Sequence, residues 1–279
     1  MKTIGLALGG GGAKCLAHVL MLEAFEELGV RPTILAGSSM GAVLAAVYAS
    51  GRSVAEVREQ VKRFVSSTGE RLRHIIFSRE LRKLVEMFDP EFGGGGGLIK
   101  GERFLEYLYA QMGVSTFEDL GLPLKVVAAD FWAREQVVFD SGDLLTALKA
   151  SMALPVVLCP VLLDDRVLVD GSCVNPVPYD LLLDKAEVVV GVDVMGSRVM
   201  RNKAIRHGGI PPLLDTVFQS IQIMQKAILT EKLKNRSPDI LVEVDISGVR
   251  ALEFYKAEAI YRQAAPAKEY LKEQLARLL

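Results

Sequence analysis

Thr33-Ile34-Leu35-Ala36-Gly37-Ser38-Ser39-Met40-Gly41-Ala42-Val43-Leu44-Ala45-Ala46-Val47-Tyr48 is an apolar run broken only at the pentapeptide Gly37 to Gly41. The part before the break reads as a short buried strand and the part after it as a helix. A G-x-S-x-G pentapeptide at a strand-to-helix turn holds its serine in strained backbone geometry. Only glycines two residues to either side of the serine avoid clashing there. Ser39 is therefore a candidate nucleophile, with Gly37 and Gly41 forming its elbow. The helix that follows directs its positive end at the serine oxygen and at any anion formed beside it. The competing reading is a tight structural turn, and the strand and helix on either side favour chemistry.

A second strand-to-helix junction opens the chain. Thr3-Ile4-Gly5-Leu6-Ala7-Leu8 reads as a strand, Gly9-Gly10-Gly11-Gly12-Ala13-Lys14 as a loop, and a helix is expected to about Leu28. Consecutive glycines leave backbone N–H groups free to meet a ligand oxygen, which suits an oxyanion hole or a phosphate cradle. The dinucleotide fingerprint G-x-G-x-x-G fails in both registers, ending in Cys15 from Gly10 and in Lys14 from Gly9. A Walker A loop fails too, because Ala13-Lys14-Cys15 stands where Gly-Lys-Ser/Thr is needed.

Far downstream, Arg166-Val167-Leu168-Val169 reads as a strand that delivers Asp170-Gly171. A carboxylate at a strand end, followed by glycine, can reach a serine across a sheet edge and take its proton. Asp170 is the candidate base; the alternative is an Asp-Gly turn with no chemical role.

Four ordered blocks resemble the patatin-like phospholipases, in particular the short bacterial acyl hydrolases, from Thr3 to Pro178. They are Gly9 to Lys14 with Leu16-Ala17-His18; Gly37 to Gly41; Ala150-Ser151-Met152-Ala153-Leu154-Pro155 with Pro160-Val161; and Asp170-Gly171 with Asn175-Pro176. The resemblance implies a Ser–Asp dyad without histidine, in which Ser39 attacks a fatty-acyl ester and Asp170 acts as base, set by its loop residue Gly171. It implies an oxyanion hole in Gly10, Gly11 and Gly12, with the Gly10 and Gly11 amides holding the anion and Lys14 nearby. It also implies a three-layer α/β/α sandwich and substrates among membrane lipids or other acyl esters. Three positions depart from the family pattern: Cys15 and Leu20 replace usual glycines, and Ser172 stands where glycine or alanine is common. Two other readings stay open. An α/β-hydrolase esterase would draw on His207, which follows Asp170 in the required order. A lipid- or acyl-binding protein with little turnover would explain the bulk of Cys15 and Leu20.

Composition is compatible with this picture. The 279 residues are 50% apolar, enough for one large α/β domain, and the net charge of −1 argues against a nucleic-acid partner. Cys15, Cys159 and Cys173 form no C-x-x-C, so free thiols in a reducing compartment are expected. The histidines His18, His74 and His207 are scattered, which leaves no expected metal site, and the chemistry implied above requires no cofactor. The apolar run Ile4 to Leu8 is too short for a signal-peptide core, and no stretch approaches the roughly 20 apolar residues of a membrane span. A cytoplasmic protein is expected, meeting lipid at a surface and peripheral at the inner membrane face.

One domain over residues 1–279 is expected, with a cap or lid at about 66–100. Ser53-Val54-Ala55-Glu56 is a capping box opening a helix to about Val65. Residues 52–83 carry nine Lys/Arg against four Glu, and their apolar residues fall into two helical stripes. A basic amphipathic segment suits an anionic lipid surface, or else a solvated cap helix. The glycine run Gly93 to Gly97 reads as a hinge or a loose loop, unable to hold helix or strand.

From Leu124 the chain alternates. Strands are expected at Leu124 to Ala129, Gln136 to Phe139, before Asp170, at Val188 to Asp193 and at Ile240 to Val244. Helices are expected at Leu144 to Met152, Tyr179 to Leu183 and from Pro211-Pro212 to about Asn235. Pro266 is expected to split the C-terminal helical region in two. This is the pattern of an α/β fold with a mostly parallel sheet covered on both faces.

Overall fold

The computed structural model describes residues 2–63, 97–99, 112–196 and 213–278. Its strands are β1 (Ile4–Leu8), β2 (Ile34–Ser38), β3 (Gly97–Ile99), β4 (Leu124–Asp130), β5 (Glu135–Phe139), β6 (Val156–Leu158), β7 (Val161–Leu163), β8 (Arg166–Asp170), β9 (Val188–Asp193) and β10 (Ile240–Glu243). Its longer helices are α1 (His18–Glu27), α2 (Met40–Ala49), α3 (Leu144–Ser151), α4 (Leu213–Asn235) and α5 (Ala257–Leu278). The main sheet runs β10-β9-β1-β2-β4-β8-β7, with β5 also on β4. The first five strands are mutually parallel, and β5, β7 and β8 join antiparallel.

Side-chain alternation along the strands decides which layer each face meets. Ile4, Leu6 and Leu8 of β1, with Val188, Val190 and Val192 of β9, belong to the large cluster shared with α1, α2, α3 and α5. Ala7, Ala36 and Val189 face the other way, against Val177, Tyr179, Leu182 and Leu229 of α4. Helices thus cover both faces of the sheet, the α/β/α layering that the alternating sequence predicts. None of the described helices is long and apolar enough to cross a membrane.

Several expectations are corrected. Pro266 does not split the C-terminal helix: α5 runs unbroken from Ala257 to Leu278 with Pro266 inside it. The proline removes one backbone hydrogen bond, but tertiary contacts hold both halves in line. Ile260, Ala264, Leu271 and Leu275 are fully buried, and Lys268 and Lys272 both bind Glu27 of α1. Gly97, expected in a loose connection, begins β3, whose backbone pairs with Val156 to Leu158; a glycine still brings an N–H and a C=O to a ladder. The short strands β6 and β7 were not foreseen, and the loop after Leu8 enters its helix through a 3-10 turn, Gly12–Ala17.

The Ser53–Glu56 capping box forms, Glu56 accepting from the Ser53 backbone N–H at 2.8 Å while Ser53 Oγ accepts from the Glu56 N–H at 3.3 Å. Residues 54–63 are helical. The rest of the expected basic cap, the hinge glycines Gly93 to Gly96, His74 and His207 lie outside the described residues.

One feature of the sheet positions the site. β5 occupies one edge of β4 along Val126 to Asp130. The opposite edge is therefore shared by two strands: β2 pairs parallel up to Ser38 opposite Val127, and β8 pairs antiparallel, ending with Asp170 opposite Ala128. The C-terminal ends of β2 and β8 consequently meet head to head, one residue apart in register.

Candidate active site

Ser39 follows β2 at this meeting point, with φ 55° and ψ −135°, a conformation costly for any residue with a side chain. The elbow glycines make that turn sterically possible. A Cβ on Gly37 would lie 2.4 Å from Ala42 Cα, and one on Gly41 2.3 Å from the Leu8 carbonyl oxygen. Neighbouring groups fix the strained residue: its N–H donates to Ser151 Oγ at 2.9 Å, and the preceding Ser38 Oγ donates to the Asn175 carbonyl at 2.6 Å.

Ser39 Oγ donates to Asp170 Oδ2 at 2.6 Å, and the Ser172 N–H donates to Asp170 Oδ1 at 2.8 Å. Both carboxylate oxygens are thereby oriented. Asp170 is 1% exposed. Burial penalises its charged form and raises its pKa to about 6, against the opposing pull of the Ser39 and Ser172 hydrogen bonds. Gly171 is required for contact with the sheet, since a Cβ there would sit 2.0 Å from the Val127 carbonyl oxygen.

The glycine loop lies against the same serine, because β1 is the parallel neighbour of β2. Its amides are not equivalent. The Gly9 N–H donates to Val192 O and the Gly10 N–H to Pro176 O, each at 3.0 Å. The N–H groups of Gly11 and Gly12 meet no acceptor among the described residues. Gly10, expected to supply a donor, instead supplies closeness: a Cβ there would be 3.2 Å from Ser39 Cβ and 1.9 Å from Ser172 Oγ. Lys14 is buried beside the loop; burial pulls its pKa down, and the carboxylate of Asp193 opposes that.

The three departures from the family pattern have a structural account. Cys15 is fully buried, and its Sγ donates to the Gly9 carbonyl at 3.3 Å, with His18 Nε2 on the same oxygen at 2.7 Å. Both residues pin the root of the loop. Burial pushes the Cys15 thiol far up and His18 down to about 4, so both are neutral near pH 7. Leu20 packs into the main core. Ser172 Oγ is buried and meets no hydrogen-bond partner among the described residues, facing Gly10.

Two contributors were not legible in the sequence. Ser151 ends α3 and holds the Ser39 amide, although only its block, not its role, stood out. Lys232, on α4, reaches Asn175 Oδ1 and Asp180 Oδ1, each at 2.5 Å, and the Val177 carbonyl at 3.1 Å. It thereby ties down the segment whose Asn175 and Pro176 carbonyls receive Ser38 and Gly10. No local pattern marks a lysine 57 residues away from its partner.

The family model described as patatin-like phospholipase matches residues 6–183, a stretch containing all of the groups above except Val192, Asp193 and Lys232. An NTE family protein of Mycobacterium bovis is 32% identical over 195 residues, covering 70% of this chain and 49% of its own length. Patatin-like phospholipase domain-containing protein 6 of Homo sapiens is 29% identical over 69% of this chain and 13% of its own length. Lysophospholipase nte1 of Aspergillus fumigatus is 24% identical over 97% of this chain and 18% of its own. The chain therefore spans about half the length of the mycobacterial relatives and a smaller share of the others. Among solved structures, full-length ExoU in complex with SpcU, from the type III secretion system of Pseudomonas aeruginosa, superposes with a TM-score of 0.47 at 18% identity, covering 99% of this chain and 53% of that one.

Proposed function

The chain belongs to the patatin-like phospholipase family, and from that premise we propose that it is a lipolytic acyl hydrolase cleaving fatty-acyl esters of phospholipids or lysophospholipids through Ser39 and Asp170. The observation that carries this reading is the 2.6 Å hydrogen bond from Ser39 Oγ to Asp170 Oδ2, made by a serine held at positive φ between two sterically required glycines.

In the first step Asp170 Oδ2 takes the Ser39 proton as Oγ bonds to the ester carbonyl carbon. The carbonyl oxygen becomes an anion, and the N–H groups of Gly11 and Gly12, which meet no acceptor among the described residues and follow Gly10, the glycine that lies against Ser39, are the donors suited to it. Collapse expels the alcohol, which takes the proton back from Asp170 and leaves acyl-Ser39. Water then gives its proton to Asp170 and attacks the acyl carbon, and Ser39 leaves with that proton. A carboxylate is a weak base in water, and burial is what lifts Asp170 toward neutrality. Histidine has no part in this scheme: His18, the histidine within the described residues, is neutral and committed to the Gly9 carbonyl.

The test is covalent labelling. A fluorophosphonate should modify Ser39 in the parent protein, and Ser39→Ala should abolish both labelling and hydrolysis of acyl esters with the fold intact. Modification of Ser38 or Ser151 instead would refute the assignment. A His207→Ala variant as inactive as Asp170→Asn would replace the dyad with a triad.

A further inference from the structure

Phe131 and Trp132, 52% and 74% exposed, project side by side from the tip of the β4–β5 hairpin, their rings packed edge to face at 4.8 Å between centroids. Adjacent aromatics left in water at a loop tip have no role in the core. This tip is also well hydrogen-bonded. Asp130 Oδ1 accepts the N–H groups of Trp132 and Ala133, each at 3.0 Å, and the Asp130 carbonyl accepts the Arg134 N–H at 2.9 Å, with Arg134 at φ 60°. The Phe131 N–H donates to the Val167 carbonyl at 2.8 Å, fastening the tip to β8.

The sheet register places the tip on the side of the candidate active site. β4 runs parallel to β2, and Val127 stands opposite Ser38. The hairpin tip therefore extends beyond the end of β2 that carries Ser39, by roughly 10 Å at about 3.3 Å per residue. β8 runs the other way, so the β7–β8 turn lies beside the tip. Leu162, 75% exposed, sits there opposite Val167. Among the described residues, the charges at this rim are Asp130, Glu135, Asp164 and Asp165 against Arg134 and Arg166, an excess of carboxylates. Anionic lipid would be repelled by it, whereas a zwitterionic headgroup layer meets both signs.

We propose that the Phe131-Trp132 tip, with Leu162 beside it, is an interfacial anchor that inserts into a zwitterionic phospholipid surface and sets the Ser39 end of the sheet against it. Tryptophan and phenylalanine suit this boundary, with a large apolar ring area for the acyl region and, in tryptophan, an N–H for the headgroups. The inference rests on the acyl-hydrolase reading for its purpose, since an enzyme cleaving membrane lipid must hold its site at the interface. Attachment is through apolar area, so it should be insensitive to salt.

Trp132 is the single tryptophan of the chain, which makes the test direct. Adding phosphatidylcholine vesicles should shift its emission to the blue, and vesicles of dibrominated phosphatidylcholine should quench it, equally at 0.05 and 0.5 M salt. Phe131→Ser, which keeps the reporter, should weaken vesicle partitioning at least about tenfold. It should leave the melting temperature and the hydrolysis of a soluble short-chain ester unchanged. Cosedimentation with vesicles without blue shift or quenching would put the contact on another surface and overturn the proposal. So would the absence of association, or Phe131→Ser partitioning like the parent. The hydrolase reading fails separately: if fluorophosphonate leaves Ser39 unmodified while Trp132 is still quenched, the anchor stands and the catalytic assignment falls.

Discussion

Replacing Asp170 by asparagine should inactivate the protein and stabilise it at the same time. The carboxyl group is buried, and its pKa rises from 3.8 to about 6 on folding, chiefly through desolvation. At about 1.4 kcal/mol per unit, a gap of about 2 units corresponds to about 3 kcal/mol between the two protonation states. With the folded pKa raised, the stabilising contribution belongs to the protonated form. It is fully present below the unfolded pKa of 3.8 and is lost as pH rises through about 6. At pH 8 the parent protein therefore carries a buried charge that Asp170→Asn lacks. An asparagine of similar shape can still accept the Ser172 N–H. The variant should be more stable than the parent by up to about 3 kcal/mol at pH 8, with the advantage shrinking toward zero near pH 4. Chemical denaturation at pH 4, 6 and 8 measures this difference. Ester hydrolysis should fall by about 10²–10⁴-fold, because an amide cannot take the serine proton, and kcat/KM of the parent should rise through pH about 6. A variant less stable than its parent at pH 8, or a stability difference that does not change with pH, would refute the reasoning.

Ser151→Ala should cost about 1–3 kcal/mol by leaving the buried Ser39 N–H without its acceptor, and it should slow labelling of Ser39 by fluorophosphonate. Unchanged labelling would mean that the elbow holds itself. Lys232→Met should lower kcat by about tenfold with little change in KM, by loosening the Asn175 to Val177 segment that receives Ser38 and Gly10. Lys232→Arg should restore part of the loss. A fall in melting temperature with kcat intact would confine Lys232 to stability.

The sequence by itself determined what depends on neighbours along the chain. A continuous apolar run marks β9 at Val188 to Asp193 residue for residue. A pentapeptide between a strand and a helix singles out Ser39 as the candidate nucleophile, because its steric demand is met by Gly37 and Gly41 within the same turn. Asp170 was legible from its own neighbours as a carboxylate at a strand end able to act as base, and its pairing with Ser39 only through the resemblance. Its contact with Ser39 spans 131 residues and follows from β2 and β8 sharing one edge of β4. Register of this kind is a property of the assembled sheet, carried by no local pattern. The same holds where local rules gave the wrong answer. A proline predicts a broken helix from its missing N–H, yet α5 continues through Pro266 because buried faces and ion pairs to α1 align both halves. Four glycines predict a row of free amides, yet Gly9 and Gly10 are drawn off by Val192 and Pro176, carbonyls supplied by chain more than 160 residues downstream. Local sequence sets which dihedrals and donors a segment can offer; tertiary packing decides which of them are left to meet a substrate.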